Sequence, residues 1–234
     1  MLDLSAKTIV TLVLLSCSAA ASAQGVRYSW FDLAVVQQEI DRDAVFVDIP
    51  NQQTVSVRAS DGSGIKFRGS VGTWHNLFAF VDFNSSDIDV SALVQNPQGS
   101  FPAEDEFDFT STRGGVGVKW SLTPATDVYG AVSYDSVDFD FGSFAGEDFD
   151  VGEKDIGGEI GIRSMITDKL ELRAIVRYSS VGDVDLNTLS FDDDTLYRVG
   201  FGYELIRGLS VIGDYESGEF SSWLIGFRLD LDED

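Results

Sequence analysis

From about position 26 onward the chain has one dominant rhythm: apolar and polar residues alternate, in pieces of about ten residues. Ten pieces stand out, at 26–38, 64–73, 77–86, 110–121, 127–138, 155–165, 170–181, 195–205, 209–217 and 220–231. Successive side chains of a strand point to opposite faces, so alternation of this length predicts β-strands with two chemically different faces. One face is apolar, with members such as Phe31, Leu33, Val35, Val81, Phe83, Val116, Val132, Ile160, Val176, Phe201, Ile225 and Phe227. Small residues, Gly114, Gly130, Gly158 and Ser164 among them, share this face, but no charged residue does. No run approaches 18 apolar residues, so no membrane-spanning helix is predicted.

The second face mixes charge with glycine. Its bases are Lys66, Arg68, Arg113, Lys119, Arg163, Arg173, Arg177, Arg198 and Arg228. Its acids are Asp32, Asp82, Asp135, Glu159, Glu171, Glu204, Asp214, Glu216 and Asp230, so nine charges of each sign balance. Two closed-sheet architectures fit two such faces. A soluble, lipocalin-type periplasmic barrel would wrap the apolar face around a ligand. A transmembrane barrel turns the apolar face to lipid and the polar face to the lumen. Three features favour the second. A charge at the bilayer midplane costs about 2–4 kcal/mol on the lipid face, and that face has none. Strands of about ten residues match the ~9–11 that cross a bilayer when tilted. Glycines among arginines suit a narrow lumen better than a wet exterior. Trp120, Tyr134, Tyr178, Tyr215 and Trp223 fall near strand ends, where interfacial aromatic residues belong.

The connections alternate in length. Short ones lie at 74–76, 122–125, 166–169 and 206–208, and longer ones at 39–63, 87–109, 139–154 and 182–194, with a small tip at 218–219. Short periplasmic turns and long external loops are the rule for outer-membrane barrels, and an even strand count puts both termini on the periplasmic side. The segment 39–63 carries its own alternating pair, AVFVDI and TVSVRA about Pro50-Asn51, read as a strand extension above the membrane. The reading is therefore an all-β, antiparallel transmembrane barrel of about ten strands. It becomes twelve if that pair enters the barrel and eight if the weakest pieces, 64–73 and 209–217, drop out.

The N-terminus is an address. Lys7, the apolar run Thr8–Leu15 and the small residues Ala21-Ser22-Ala23 form a secretory signal peptide, residues 1–23, cut after Ala23. Its removal leaves a barrel domain over 24–231 and an acidic tail at 232–234. Leu14-Leu15-Ser16-Cys17 competes as a lipobox, which would make Cys17 a lipidated terminus.

The strand-turn-strand stretch GGEIGIRSMITDKLELRAIVRYSSV at 157–181 and the final strand SWLIGFRLDL resemble small Gram-negative outer-membrane β-barrels of the OmpA-like or opacity type. The resemblance is one of pattern and covers nearly all of the chain after the signal peptide. It implies outer-membrane lipid and lipopolysaccharide as surroundings and the barrel-assembly machinery as a partner through 222–231, with Gly226, Leu229 and Leu231 as the signal. Such barrels usually end on an aromatic residue, whereas here Leu231 precedes Asp232-Glu233-Asp234. Their tasks range from anchors and adhesins to pores and lipid-modifying enzymes, so the resemblance carries the fold and not the task.

Charge narrows the remaining chemistry. The chain has 39 acidic and 16 basic residues, a net charge of −23, which argues against nucleic acid as a partner. Most acids outside the inward face lie in connections and termini, in clusters such as Glu104-Asp105-Glu106 and Asp192-Asp193-Asp194. They form either a solvated, self-repelling surface or a weak site for divalent cations, whose ligands are carboxylate oxygens. His75 is the only histidine and lies in a short turn, so no nucleophile–base pair is apparent and no enzyme is expected. No cofactor motif is present. Opposite charges inside a narrow barrel are expected to pair into a closed network; a small, narrow channel is the alternative.

Overall fold

In the computed structural model the described residues are 26–48, 53–73, 76–96, 99–144, 147–179, 194–218 and 221–231. The signal peptide, Cys17, His75, Asp192, Asp193 and the tail lie outside them. Ten strands follow in chain order: β1 (Trp30–Asp48), β2 (Gln53–Gly72), β3 (Leu77–Asn96), β4 (Gly99–Thr123), β5 (Thr126–Phe144), β6 (Glu147–Met165), β7 (Leu170–Ser179), β8 (Asp194–Ile206), β9 (Leu209–Ser217) and β10 (Ser221–Asp230). Each pairs antiparallel with its chain neighbours, and β1 pairs with β10 from Trp30↔Asp230 to Glu39↔Ser221, so the sheet closes. Closure removes both sheet edges, which lipid could not satisfy.

The alternation is realised as expected for a transmembrane barrel. Apolar side chains such as Val35, Val116, Val132, Ile160, Ile225 and Phe227 are exposed on the outside. Asp32, Arg68, Asp82, Arg113, Asp135, Arg163, Glu171, Arg173, Arg198, Asp214 and Arg228 are buried inside. This excludes the soluble ligand-binding barrel, whose apolar face would line the interior. Trp120, Tyr134, Tyr178 and Trp223 stand exposed on the outer face, and Tyr215 stacks on Trp223 at 4.4 Å. Ser164 departs from its set: it is buried, with its hydroxyl 2.8 Å from that of Thr126 on β5.

The strands divide into two groups by length. β7 to β10 have 9–13 residues, enough to cross a bilayer; β1 to β6 have 19–25. The segments 87–109 and 139–154, expected as loops, are mostly strand and carry the β3–β4 and β5–β6 hairpins well beyond the apolar band. The pair flanking Pro50-Asn51 likewise continues β1 and β2, after a bulge between Glu39 and Arg42, and adds no strand to the ten.

The loop assignment fails because the pattern persists while its chemistry inverts. On β3 the outward positions run Leu77, Ala79, Val81, Phe83, Ser85, Asp87, Asp89, and the inward positions run Asp82, Asn84, Ser86, Ile88, Val90. Within the apolar band, apolar residues face out; beyond it, acids face out and Ile88, Phe107, Val90, Phe109 and Phe139 pack on the inner side. Register aligns Asp87, Asp108 and Asp140 as outward, exposed neighbours on β3, β4 and β5. An Asp87–Asp108 hydrogen bond and the charges of Asp87 and Asp140 push the Asp108 carboxyl above its ordinary value.

Two outcomes follow. Ile160→Arg, in the middle of the outer apolar band, should cost about 2–4 kcal/mol in denaturant unfolding from vesicles, and Ser85→Arg near the band's edge about 0–1 kcal/mol. A raised folded-state pKa disfavours the folded state once pH exceeds the ordinary carboxyl value. Asp108→Asn should therefore slow amide exchange in the β3–β4 extension at pH 7 and leave it unchanged at pH 3, where Asp108 is already neutral.

Candidate functional site

The inner face holds the candidate site, and it begins at the end where the short turns lie. Residues 26–29, expected to open the first strand, instead enter this end of the lumen, where Val26 and Tyr28 are buried. Tyr28 packs on Phe78 (ring centroids 5.1 Å apart) and edge-on to Tyr129 (6.4 Å). Phe78 lies over Gly117 on β4, and Tyr129 over Gly161 on β6, where a Cβ would collide with each ring. The segment is tied in place: Arg163 donates to the Arg27 carbonyl at 2.9 Å, Gly72 N–H to Ser29 Oγ at 3.1 Å, and Arg27 pairs with Asp230 at 3.3 Å. Sequence reasoning missed this aromatic cluster because only the facing glycines make room for rings inside the lumen.

Next to it, six charges close into a cycle of alternating sign. Asp32 on β1 accepts from Arg228 on β10 (2.7 and 3.0 Å) and pairs with Arg68 on β2 (2.9 Å). Arg68 reaches Asp214 on β9 (2.8 Å); Asp214 accepts from Arg173 on β7 (2.7 Å). Arg173 approaches Glu171 (3.7 Å), and Glu171 returns to Arg228 (3.4 Å). Arg163 adds a bidentate pair to Glu171, at 3.1 and 2.7 Å. Arginine suits this role because its planar fork can serve two carboxylates at once. Arg228 and Arg163 also stack on Trp30 and Tyr28, at 4.1 and 4.8 Å.

A second group surrounds Arg113 and Arg198. Arg113 pairs with Glu159 and lies 3.9 Å from Asp135, which accepts from Ser179 at 2.8 Å. Arg198 pairs with Glu216 and approaches Asp82 at 3.9 Å, while Lys66 is 3.5 Å from Asp82. Four expected members stand apart, Asp230 through its pairing with Arg27 already described. Lys119 lies over the Tyr28 ring at 4.3 Å. Glu204 accepts from Gly208 N–H at 3.1 Å and caps a turn. Arg177 is partly buried, with its Nε lacking a hydrogen bond. The interior is not wholly polar either: Ala34, Ile212 and Leu224 form a buried apolar contact on the β1, β9 and β10 side.

Gly200 shows why glycines share this face. Arg173 on β7 meets Asp214 on β9 across β8, directly over Gly200, where a Cβ would overlap the Asp214 carboxylate. Among the described residues two small cavities lie in the lumen, about 60 Å³ beside Arg113 and about 40 Å³ beside Glu204. As for cations, no group of three His, Cys, Asp or Glu among the described residues is arranged to hold a metal ion. Glu106 is exposed; the side chains of Glu104, Asp105 and Asp194 lie outside what is described, as do Asp192 and Asp193.

A family model described as "Outer membrane protein beta-barrel domain" matches residues 9–204. The chain belongs to that family. Membership puts this barrel in the Gram-negative outer membrane. Comparison with curated proteins returns no match. Among solved structures it is similar to the translocator domain of the autotransporter NalP from Neisseria meningitidis, at 14% identity over 95% of this chain and 94% of that one (TM-score 0.44). It is also similar to the β-domain of the Bordetella autotransporter Brka, at 9% identity over 88% and 100% (0.48), and to OprG from Pseudomonas aeruginosa, at 11% over 89% and 98% (0.43).

Two substitutions test the network. Glu171→Gln removes the charge shared by Arg163, Arg173 and Arg228 and should cost about 3–5 kcal/mol of unfolding free energy. Gly200→Ala should cost about 1–3 kcal/mol by overpacking, whereas Gly202→Ala, whose Cβ would meet nothing closer than 3.8 Å, should be near neutral.

Proposed function

We propose that this outer-membrane barrel is a closed, non-enzymatic structural or surface-interaction protein rather than a pore. The observation that carries the reading is the cycle Asp32–Arg68–Asp214–Arg173–Glu171–Arg228. It links five strands across the lumen, beside an aromatic cluster that fills one end. A path for ions would need width that side chains here occupy. Charged groups inside act as the barrel's core, and interaction falls to the outer face of the long hairpins.

In this reading the signal peptide at 1–23 is removed, both termini and the acidic tail are periplasmic, and the segment 222–231 is read by the assembly machinery. The β1–β6 extensions then stand outside the cell, with Asp87, Asp108 and Asp140 beside the lipopolysaccharide headgroups. Carboxylates and lipid phosphates repel, so divalent cations bridging them at the Glu104–Glu106 and Asp192–Asp194 clusters follow as the partner chemistry.

Protein refolded to a heat-modifiable gel species should give no steady conductance in a planar bilayer. A steady, ion-selective current would overturn the closed reading in favour of the narrow channel. Calcium titration into protein in lipopolysaccharide-containing vesicles should raise the unfolding midpoint; no change would remove the cation bridge from the proposal.

A further inference from the structure

The outer face holds glycines that nothing inside the barrel explains. Inward glycines are forced: a Cβ at Gly117 or Gly161 would lie 2.3 or 2.4 Å from the Phe78 or Tyr129 ring. On the lipid side Gly213 is forced too, beneath the Phe201 ring. Gly130 on β5 and Gly158 on β6 are not. A Cβ on either would meet nothing closer than 3.7 Å, and neither has a positive φ. Glycine weakens a strand, and here it also leaves lipid-facing positions without a side chain. The two lie diagonally on adjacent strands, since Gly130 pairs with Ile160 and Gly158 with Val132. With Ala79 they floor a groove of about 930 Å³ on the outer wall of β3–β7, between the exposed side chains of Leu77, Trp120, Val132, Ile160 and Tyr178.

The groove follows two register rows, from Leu77 and Ala79 at the short-turn end of β3 to Val176 and Tyr178 at the far end of β7, so it crosses the apolar band obliquely. A methylene group takes up about as much room as a water molecule, about 30 Å³, so the groove is large enough for both tails of one phospholipid. We propose that it seats the acyl chains of a phospholipid. A second barrel would present a convex wall whose side chains rest on the ridges and leave the floor empty, whereas a flexible chain lies along it. Charge selects the lipid class. Beyond the groove, β3–β5 expose Asp87, Asp108 and Asp140, against Lys154 as the one exposed base on β3–β6 among the described residues. That end disfavours the phosphates of lipopolysaccharide. The other end is bordered by uncharged Thr73 and Trp120. The lipid therefore enters from the leaflet on the short-turn side, the periplasmic one in the orientation proposed above. The inference rests on the outer-membrane placement, and on the orientation for the leaflet; it is independent of whether the lumen conducts.

Two measurements on refolded, full-length barrel test it. Native mass spectrometry of barrel refolded in vesicles of phosphatidylethanolamine and phosphatidylglycerol, then moved into detergent, should show one retained phospholipid per chain. Gly130→Leu/Gly158→Leu, which fills the floor, should cut that retention about tenfold by displacing methylenes from the wall. Gly69→Leu, on the outer face of β2 away from the groove, should leave it unchanged. Phosphatidylglycerol added in detergent should raise the thermal midpoint by about 2–4 °C through mass action, and the double variant should lose that rise. Absence of retained phospholipid, or equal retention by the double variant, would overturn the proposal. A dimer that the double variant breaks would overturn it in favour of a second copy, and lipid A retained in preference to phospholipid would overturn the choice of lipid. Should the double variant fail to fold, Gly158→Leu alone and the unchanged barrel's retention and midpoint decide.

Discussion

Pairing of arginine with carboxylate inside a closed sheet is the interaction on which this molecule depends. A charge buried inside the barrel, as Asp32 and Arg68 are, has lost most of its water, and most apolar residues are committed to the outer face. Each guanidinium must therefore find its counter-charge on another strand. The cycle through Asp32, Arg68, Asp214, Arg173, Glu171 and Arg228 meets this need with bonds that run across the barrel as well as along its wall. A network of this kind holds strands in register, because sliding one strand by a residue would carry its charge to the lipid face.

Space sets the second constraint. Inside ten strands room is short, and large side chains fit only over small neighbours. Gly200 under the Arg173–Asp214 pair and Gly161 under Tyr129 are two cases of one rule. The glycines of the inward face are the complement of its arginines and rings, and packing and electrostatics are solved at the same positions.

The third constraint is the surrounding solvent. Beyond the apolar band the long strands keep their period, but the faces exchange roles. Asp87, Asp108 and Asp140 face out and Ile88 and Phe107 face in, as in a soluble sheet. A single hairpin thus serves two environments, and the changeover on its outer face, from Phe83 through Ser85 to Asp87 on β3, marks where one gives way to the other.

Alternation pointed to about ten strands, with eight and twelve open, and determined the antiparallel closed sheet and the inward placement of Asp32, Arg68, Glu171 and Arg228, because period two and the cost of a charge in lipid are local and additive. Three matters needed the fold. The reach of β3 to β6 was hidden because a reversal of polarity along one strand reads as the end of the strand. Burial of Tyr28, Phe78 and Tyr129 depended on glycines from neighbouring strands, which no single segment displays. The partner of each charge depended on distances across the lumen: Arg68 meets Asp214 although 146 residues separate them, while Lys119 and Glu204, in the same alternating set, stand outside the cycle. Sequence assigns a residue to a face; only the closed barrel brings two faces close enough to choose its neighbour.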